Sequence, residues 1–350
     1  MNIRGQLKDD ILNGKAVLFL GAGASQAAGL YDAQGLANFL FSKANDPKEY
    51  TVFKDDLPRL VARLDKDTSF TRRWVNNQLI QYLRNRPNYS DLDTHKKVFQ
   101  LDWKALFTTN YDLCMEFAEY EVELKRHTLL PIVDSKDTAP IVSTAEGKLK
   151  YFKIHGCVRE LEQHPDSSPP LVITQSDFRE SIKRNAPFLA ELNRYPYDCS
   201  IIFVGFQAHR AENNLILANV IDTYNTISSS FHQPFKAFAV LSNVQTIDRS
   251  DIEDAGLTLL EGTFQEFVES VVTLQEERTK HLRVEGIERK IWIRADGKDV
   301  GLTIAEHKQF SAQFTSYYEN YLEDETLKLE GIQKEKLVDM WKTHPSVVSQ

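Results

Sequence analysis

Ala16-Val17-Leu18-Phe19-Leu20-Gly21-Ala22-Gly23-Ala24-Ser25 is the stretch on which the reading of this chain turns. Its first five residues form an unbroken apolar run, short for a helix and suited to a strand covered on both faces, as in a parallel sheet. The run stops at Gly21. Glycines at 21 and 23 let the backbone come close to a neighbour. That neighbour is a bound pyrophosphate, favoured at the start of the next helix, unless the glycines only tighten the strand-to-helix crossover. Ala27, Ala28 and Gly29 extend the small-residue stretch.

The same pattern recurs downstream. Trp103–Thr108, Lys150–Ile154, Leu171–Ile173, Ile201–Val204, Phe238–Leu241 and Leu257–Leu260 are short strand-like stretches that run into polar or glycine-containing clusters. Between them, Gly35–Phe41, Leu57–Leu64, Phe70–Leu83, Leu113–Tyr120 and Phe264–Leu274 read as helices. This alternation predicts an α/β fold with a doubly wound, Rossmann-like parallel sheet, whose ligands lie beyond the carboxyl ends of the strands. Residues 1–274 are expected to form the principal domain, with a helical insertion at about 31–102.

Residues 275–350 turn strongly charged and read as a C-terminal extension, with a short β excursion at Lys290–Arg294 and helices from Thr303 onward. Phe310, Phe314, Tyr317, Tyr318, Tyr321 and Leu322 recur there at spacings of three and four. Such a stripe needs cover, either from the chain's own sheet or from an assembly or regulatory partner.

Composition limits the function classes. Among 350 residues, 42 lysines and arginines stand against 50 aspartates and glutamates, and the net charge of −8 opposes an extended nucleic-acid surface. Met1–Asn13 has no signal-peptide core, and the longest apolar runs fall far below the roughly 20 residues that cross a bilayer. A cytoplasmic protein with no membrane partner is expected. Cys114, Cys157 and Cys199 are widely spaced and form no CxxC pair, so no metal site is expected. Cys157 stands two residues from His155, yet an inert buried thiol is the simpler reading.

Two common nucleotide motifs do not fit. A hydride-transfer Rossmann domain wants glycine or alanine where Gln26 stands, and an acidic residue about 20 positions on. A P-loop wants Gly-Lys-Ser or Gly-Lys-Thr after four intervening residues, which this loop lacks.

Taken whole, Gly21-Ala22-Gly23-Ala24-Ser25-Gln26-Ala27-Ala28-Gly29-Leu30-Tyr31-Asp32 resembles the NAD signature of the sirtuins, with Tyr31 in place of the family's proline. Thr108-Thr109-Asn110-Tyr111-Asp112 is similar to the family's Thr-Gln-Asn-Ile-Asp, and Ile154-His155-Gly156 to its catalytic His-Gly. Val204-Gly205-Phe206 stands where the family has Gly-Thr-Ser, and Leu241-Ser242-Asn243 resembles its Ile-Asn. The motifs come in the family's order and cover about Val17 to Leu274.

The resemblance implies a sirtuin-type sheet and NAD+ as substrate. It assigns NAD+ contacts to Gly21, Ala22, Gly23, Ser25, Asp32, Thr109, Gly205, Phe206 and Asn243. Catalysis would fall to Asn110 on the ribose or a water, Asp112 on the nicotinamide amide, and His155 as general base near neutral pH. Read alone, Asn110 and Asp112 also suit the cap and dipole of the following helix, and His155 a structural histidine.

Sirtuin deacylases carry a four-cysteine zinc module, for which three scattered cysteines cannot provide the ligands, so no zinc is expected. The departures at Thr109 and Tyr111 and the missing Gly-Thr-Ser resemble instead the divergent bacterial sirtuin-like domains that deplete NAD in anti-phage defence. The expected activity is an NAD+ glycohydrolase that releases nicotinamide and ADP-ribose. The alternatives are an NAD-dependent protein deacylase or ADP-ribosyltransferase, and a non-catalytic NAD or ADP-ribose sensor. Restraint of such an enzyme implies a homo-oligomer, a regulatory partner encoded nearby, or both.

Overall fold

The computed structural model describes residue 3 and residues 5–303, apart from 46–47, 68, 123–124, 135–147, 166–169, 285–289, 296–297 and most of 207–235 and 243–255. Two compact units divide the chain, Met1–Gln275 and Glu276–Gln350.

The first unit is built on seven strands: β1 (Ala16–Leu20), β2 (Ala105–Thr108), β3 (Thr128–Ile132), β4 (Lys148–Lys153), β5 (Ser200–Val204), β6 (Ala237–Leu241) and β7 (Thr258–Glu261). They form one sheet in the order β3-β4-β2-β1-β5-β6-β7, and every pair is parallel. All residues of the central strands β1, β2 and β5 are buried, which is why, apart from the hydrogen-bonded Thr108 and Ser200 at strand ends, their sequences are apolar without alternation. Alternate residues of β1 serve opposite faces. Leu18 and Leu20 join one core, and Val17 and Phe19 the other.

The second face carries a file of phenylalanines across four neighbouring strands. Phe152 stacks on Phe107 with centroids 4.5 Å apart, Phe107 on Phe19 at 6.1 Å, and Phe19 meets Phe203 at 5.2 Å. Fully burying each ring contributes about 2–3 kcal/mol, an upper figure for an unfolded chain that already buries part of it.

Between β1 and β2 run α2 (Ala22–Gln26), α3 (Ala33–Lys43), α4 (Leu57–Leu64), α5 (Arg72–Leu83) and α6 (Asp93–Val98), of which α3, α4 and α5 fall where helices were expected, after an N-terminal α1 (Gly5–Leu12). Their starts are written in the sequence. Asp32 accepts from the Gly35 amide at 2.8 Å, Asp56 from Arg59 at 3.1 Å and Thr71 from Trp74 at 3.3 Å, each an N-cap. Leu57, Leu60, Val61 and Leu64 then bury one stripe of α4 in the core that also holds Leu18 and Leu20. Later come α7 (Cys114–Glu121), α8 (Val158–Gln163), α9 (Gln175–Arg184), α10 (Ala186–Leu192) and α11 (Phe264–Val284), the last running ten residues past its expected end at Leu274.

Two expectations about strands need correction. Leu171–Ile173 is irregular rather than a strand, with the Val172 amide bonded to the His155 carbonyl at 3.0 Å. Edge strand β3 has no counterpart in the sequence reading, because Pro131 interrupts a half-exposed stretch.

In the second unit, β8 (Lys290–Ala295) and β9 (Lys298–Thr303) pair as an antiparallel hairpin where a β excursion was expected. The helices expected beyond Thr303 and the stripe from Phe310 to Leu322 lie outside the described residues. Among the described residues, no helix is long and apolar enough to cross a membrane.

Candidate functional site

The chain leaves β1 toward β2 on one side, and leaves β5 toward β6 on the other. A crevice therefore opens between the carboxyl ends of β1 and β5, where a doubly wound sheet takes its ligand. Gly21 and Gly205 meet there. The Gly21 amide donates to the Val204 carbonyl at 2.8 Å and the Gly23 amide to the Gly205 carbonyl at 3.0 Å. Gly205 has φ +63°, and a Cβ on it would stand 2.6 Å from the Gly23 Cα. A Cβ on Gly23 would stand 2.7 Å from the Gly205 Cα. Gly23 is thus required by the crossover itself, and its amide is already used inside the fold.

A cleft of about 950 Å³, open to solvent, lies against this crevice. Gly21, Ala22, Ser25, Asp32, Thr109, Asn110, Asp112, His155 and Gly205 line it, so most of the residues singled out in the sequence come together. Gly23 and Phe206 do not line it. The Phe206 ring packs at 5.3 Å from Phe19 and 5.2 Å from Phe203 in the core of the second face. Asn243 lies outside the described residues.

A hydrogen-bonded trio forms the polar floor. Asn110 Nδ2 donates to the Gly21 carbonyl at 2.8 Å and to Ser25 Oγ at 2.7 Å, and Ser25 Oγ donates to Asp112 Oδ2 at 2.5 Å. Asp112 Oδ1 accepts from the Cys114 amide at 3.0 Å, which ties the carboxylate to the start of α7. With Nδ2 engaged twice, the acceptor Oδ1 of Asn110 is left for a ligand hydroxyl or a water. Thr108 Oγ1 fixes the start of the loop by donating to the Leu20 carbonyl at 2.8 Å and accepting from the Asn110 amide at 3.0 Å.

His155 follows β4 and is buried, with Phe178 of α9 edge-on to its ring at 6.3 Å. Asn185 Nδ2 holds the preceding Ile154 carbonyl at 2.8 Å. Nε2 of His155 has no hydrogen-bond partner. Burial, helped by the nearby Arg184 guanidinium, pushes its pKa down to about 4. The imidazole is therefore neutral at pH 7 and able to accept a proton, although it is a weaker base than the expectation of a pKa near neutrality.

This burial has a measurable consequence. His155 and the equally buried His95 both titrate at about 4 when folded, against 6.5 for the free side chain. Between those values the unfolded chain binds more protons than the folded one. Stability therefore falls as pH drops from about 6.5 toward 4, by about 2–3 kcal/mol for one such histidine. Urea denaturation at pH 7 and pH 4.5 should show this loss, and His155→Gln should reduce it by about that amount. An identical pH slope in the variant would show that His155 is solvated.

The sequence reading missed two parts of the site. One is the apolar wall that the helical insertion supplies through Leu36, Leu57, Pro58 and Leu83, beside Tyr31, which stacks on Tyr82 at 4.9 Å. The other is Lys153, a fully buried lysine at the end of β4 that meets Glu116 at 2.8 Å. Burial opposes its charge, but the Glu116 carboxylate, with that of Asp112 nearby, outweighs burial and holds the ammonium protonated. A lysine in the apolar run Tyr151-Phe152-Lys153-Ile154, just before His155, was the available signal.

The family model described as SIR2-like domain matches residues 104–261. The matched segment holds both Asn110-Tyr111-Asp112 and His155. Among solved structures, one described under the mechanism and regulation of Sir2 enzymes is 14% identical, covering 79% of this chain and 100% of that one, with a TM-score of 0.39. A Sir2 homologue in complex with NAD is 15% identical, covering 79% of this chain and 95% of that one, with a TM-score of 0.41. No curated protein matches the chain.

Proposed function

We propose that the chain binds NAD+ and hydrolyses its nicotinamide–ribose bond, giving nicotinamide and ADP-ribose. The observation that carries this reading is the Ser25–Asn110–Asp112 trio, which lines one cleft together with a neutral, unpartnered His155. The SIR2-like domain and the NAD ligand of a similar solved structure support NAD+ as the substrate.

In the reaction, the C1′–N bond breaks and its electron pair leaves with nicotinamide, so the ribose gains oxocarbenium character. Water adds at C1′, and its proton passes to His155 and on to solvent. The Asp112 carboxylate orients the nicotinamide amide and favours the positive charge that develops nearby. Asn110 Oδ1 accepts from a ribose hydroxyl or from the attacking water. The close β1–β5 crossover at Gly21 and Gly205 lets the pyrophosphate approach the backbone, with Ala22 at the mouth of the turn.

Water is favoured over an acyl-lysine as nucleophile because three scattered, buried cysteines cannot build the zinc module of protein deacylases. In this reading the protein acts in the cytoplasm as an NAD-depleting defence enzyme, restrained by self-assembly or by a partner encoded nearby.

Incubating purified protein with NAD+, alone and with its genomic neighbours, and resolving the products by chromatography tests the reading. Nicotinamide and ADP-ribose are expected in equal amounts without any peptide. Nicotinamide release that appears only with an acylated peptide would replace hydrolysis by deacylation, and NAD+ binding without products would leave a sensor.

A further inference from the structure

Resting on the NAD+ reading for what the loop does, we propose that Lys153, paired with Glu116, is a positioning residue that sets where the Asn110–Asp112 loop stands relative to His155. Lys153 ends β4, two residues before His155, and lies in register with Thr108 at the end of β2. Its Nζ donates to the Asp112 carbonyl and, at 2.8 Å, to Glu116 Oε1 on α7. One side chain rooted in the strand that delivers His155 therefore grips the backbone of the loop that delivers Asn110 and Asp112.

The grip passes directly into the trio. Asp112 accepts from Ser25, and Ser25 accepts from Asn110, so a shift of the Asp112 backbone moves all three groups. Other bonds hold the loop on either side of that carbonyl, with the Ile154 amide on the Thr108 carbonyl at 2.9 Å, the Val158 amide on the Tyr111 carbonyl at 3.1 Å and the Leu113 amide on the Tyr89 hydroxyl at 3.0 Å.

Stability alone explains the pair poorly. Lys153 is fully buried, and Glu116 Oε2 is buried without any partner. A buried ion pair with an unmet acceptor gains little over an apolar pair of similar volume, whereas its directed donors fix the Asp112 carbonyl as an apolar side chain cannot. The surroundings of Nζ agree with a placing role, since it is shut off from solvent, lies 5.4 Å from the Tyr151 ring and, among the described residues, has the Asp112 carbonyl and Glu116 Oε1 as its hydrogen-bond acceptors.

The paired replacement Lys153→Met with Glu116→Leu, in the full chain, removes both charges and leaves neither uncompensated. The circular-dichroism spectrum should be retained. The value of kcat for NAD+ should fall about 10- to 100-fold, as a displacement near 1 Å does, with KM changed far less. Hydrogen exchange followed by mass spectrometry should show faster exchange in residues 109–114 and unchanged protection in Ala16–Leu20. Unchanged exchange at 109–114 overturns the proposal, as does faster exchange with wild-type kcat. If the parent protein turns over no NAD+, the function reading fails and the exchange measurement alone decides the positioning role.

Discussion

Asn110→Ala is expected to lower NAD+ turnover by about 100- to 1000-fold while NAD+ affinity changes by less than about threefold. The amide is held by two donated hydrogen bonds, to the Gly21 carbonyl and to Ser25 Oγ, so its Oδ1 is fixed before any ligand arrives. A group fixed in advance costs no reorganisation when charge develops on the ribose, and its removal is felt mainly in the transition state. His155→Ala is expected to act in the same direction, because it removes the cleft's neutral imidazole acceptor. Single-turnover assays of nicotinamide release, with calorimetry for NAD+ binding, separate the two quantities. Asn110→Ala with wild-type turnover would falsify the assignment and return Asn110 to holding the β1–α2 turn.

Gly205→Val is expected to be the most destabilising single substitution in the cleft, at about 2–5 kcal/mol. A left-handed residue with a side chain costs about 1–2 kcal/mol, and forcing atoms into a filled space about 1–3 more. Both apply here, since φ is +63° and the added Cβ would stand 2.5 Å from the Ala24 nitrogen. Gly23→Val presses on the same contact from the other side without the left-handed backbone, so it should cost less. Urea denaturation measures both. A Gly205→Val protein as stable as the parent would mean that the β1 and β5 turns are not in contact. Loss of NAD+ binding by Gly23→Val would follow from a displaced crossover rather than from a side chain occupying the phosphate position.

Much of the architecture was legible because its causes are local. Ala16–Leu20 and Ile201–Val204 are buried along their whole length and are therefore apolar along their whole length. The α3, α4 and α5 helices begin at Asp32, Asp56 and Thr71, residues whose short side chains satisfy amides that a helix leaves open. Strand β3 escaped detection because an edge strand needs neither a continuous apolar run nor every amide, and Pro131 could stand in it. The stretch Leu171–Ile173 misled for the opposite reason. Three buried apolar residues look like a strand, but Arg72 holds the Leu171 carbonyl at 2.7 Å, and Asp177 takes the Ile173 and Thr174 amides at 3.0 and 2.8 Å.

By itself the sequence determined the strand-and-helix alternation, and the residue types that meet at the carboxyl edge of the sheet, because period, capping and burial act over a few neighbouring residues. Only the tertiary structure decided which atoms face the cleft. Gly23 and Phe206 sit within motifs that resemble a nucleotide site, yet one packs against a glycine of another strand and the other against two phenylalanines of the core. Lys153 drew no notice within the strand-like stretch Lys150–Ile154, and only the pairing of β2 with β4 makes it a tie between His155 and the Asn110 loop. Side-chain direction and partner depend on strand order and register, which bring together residues far apart in the chain, and no local pattern encodes that distance.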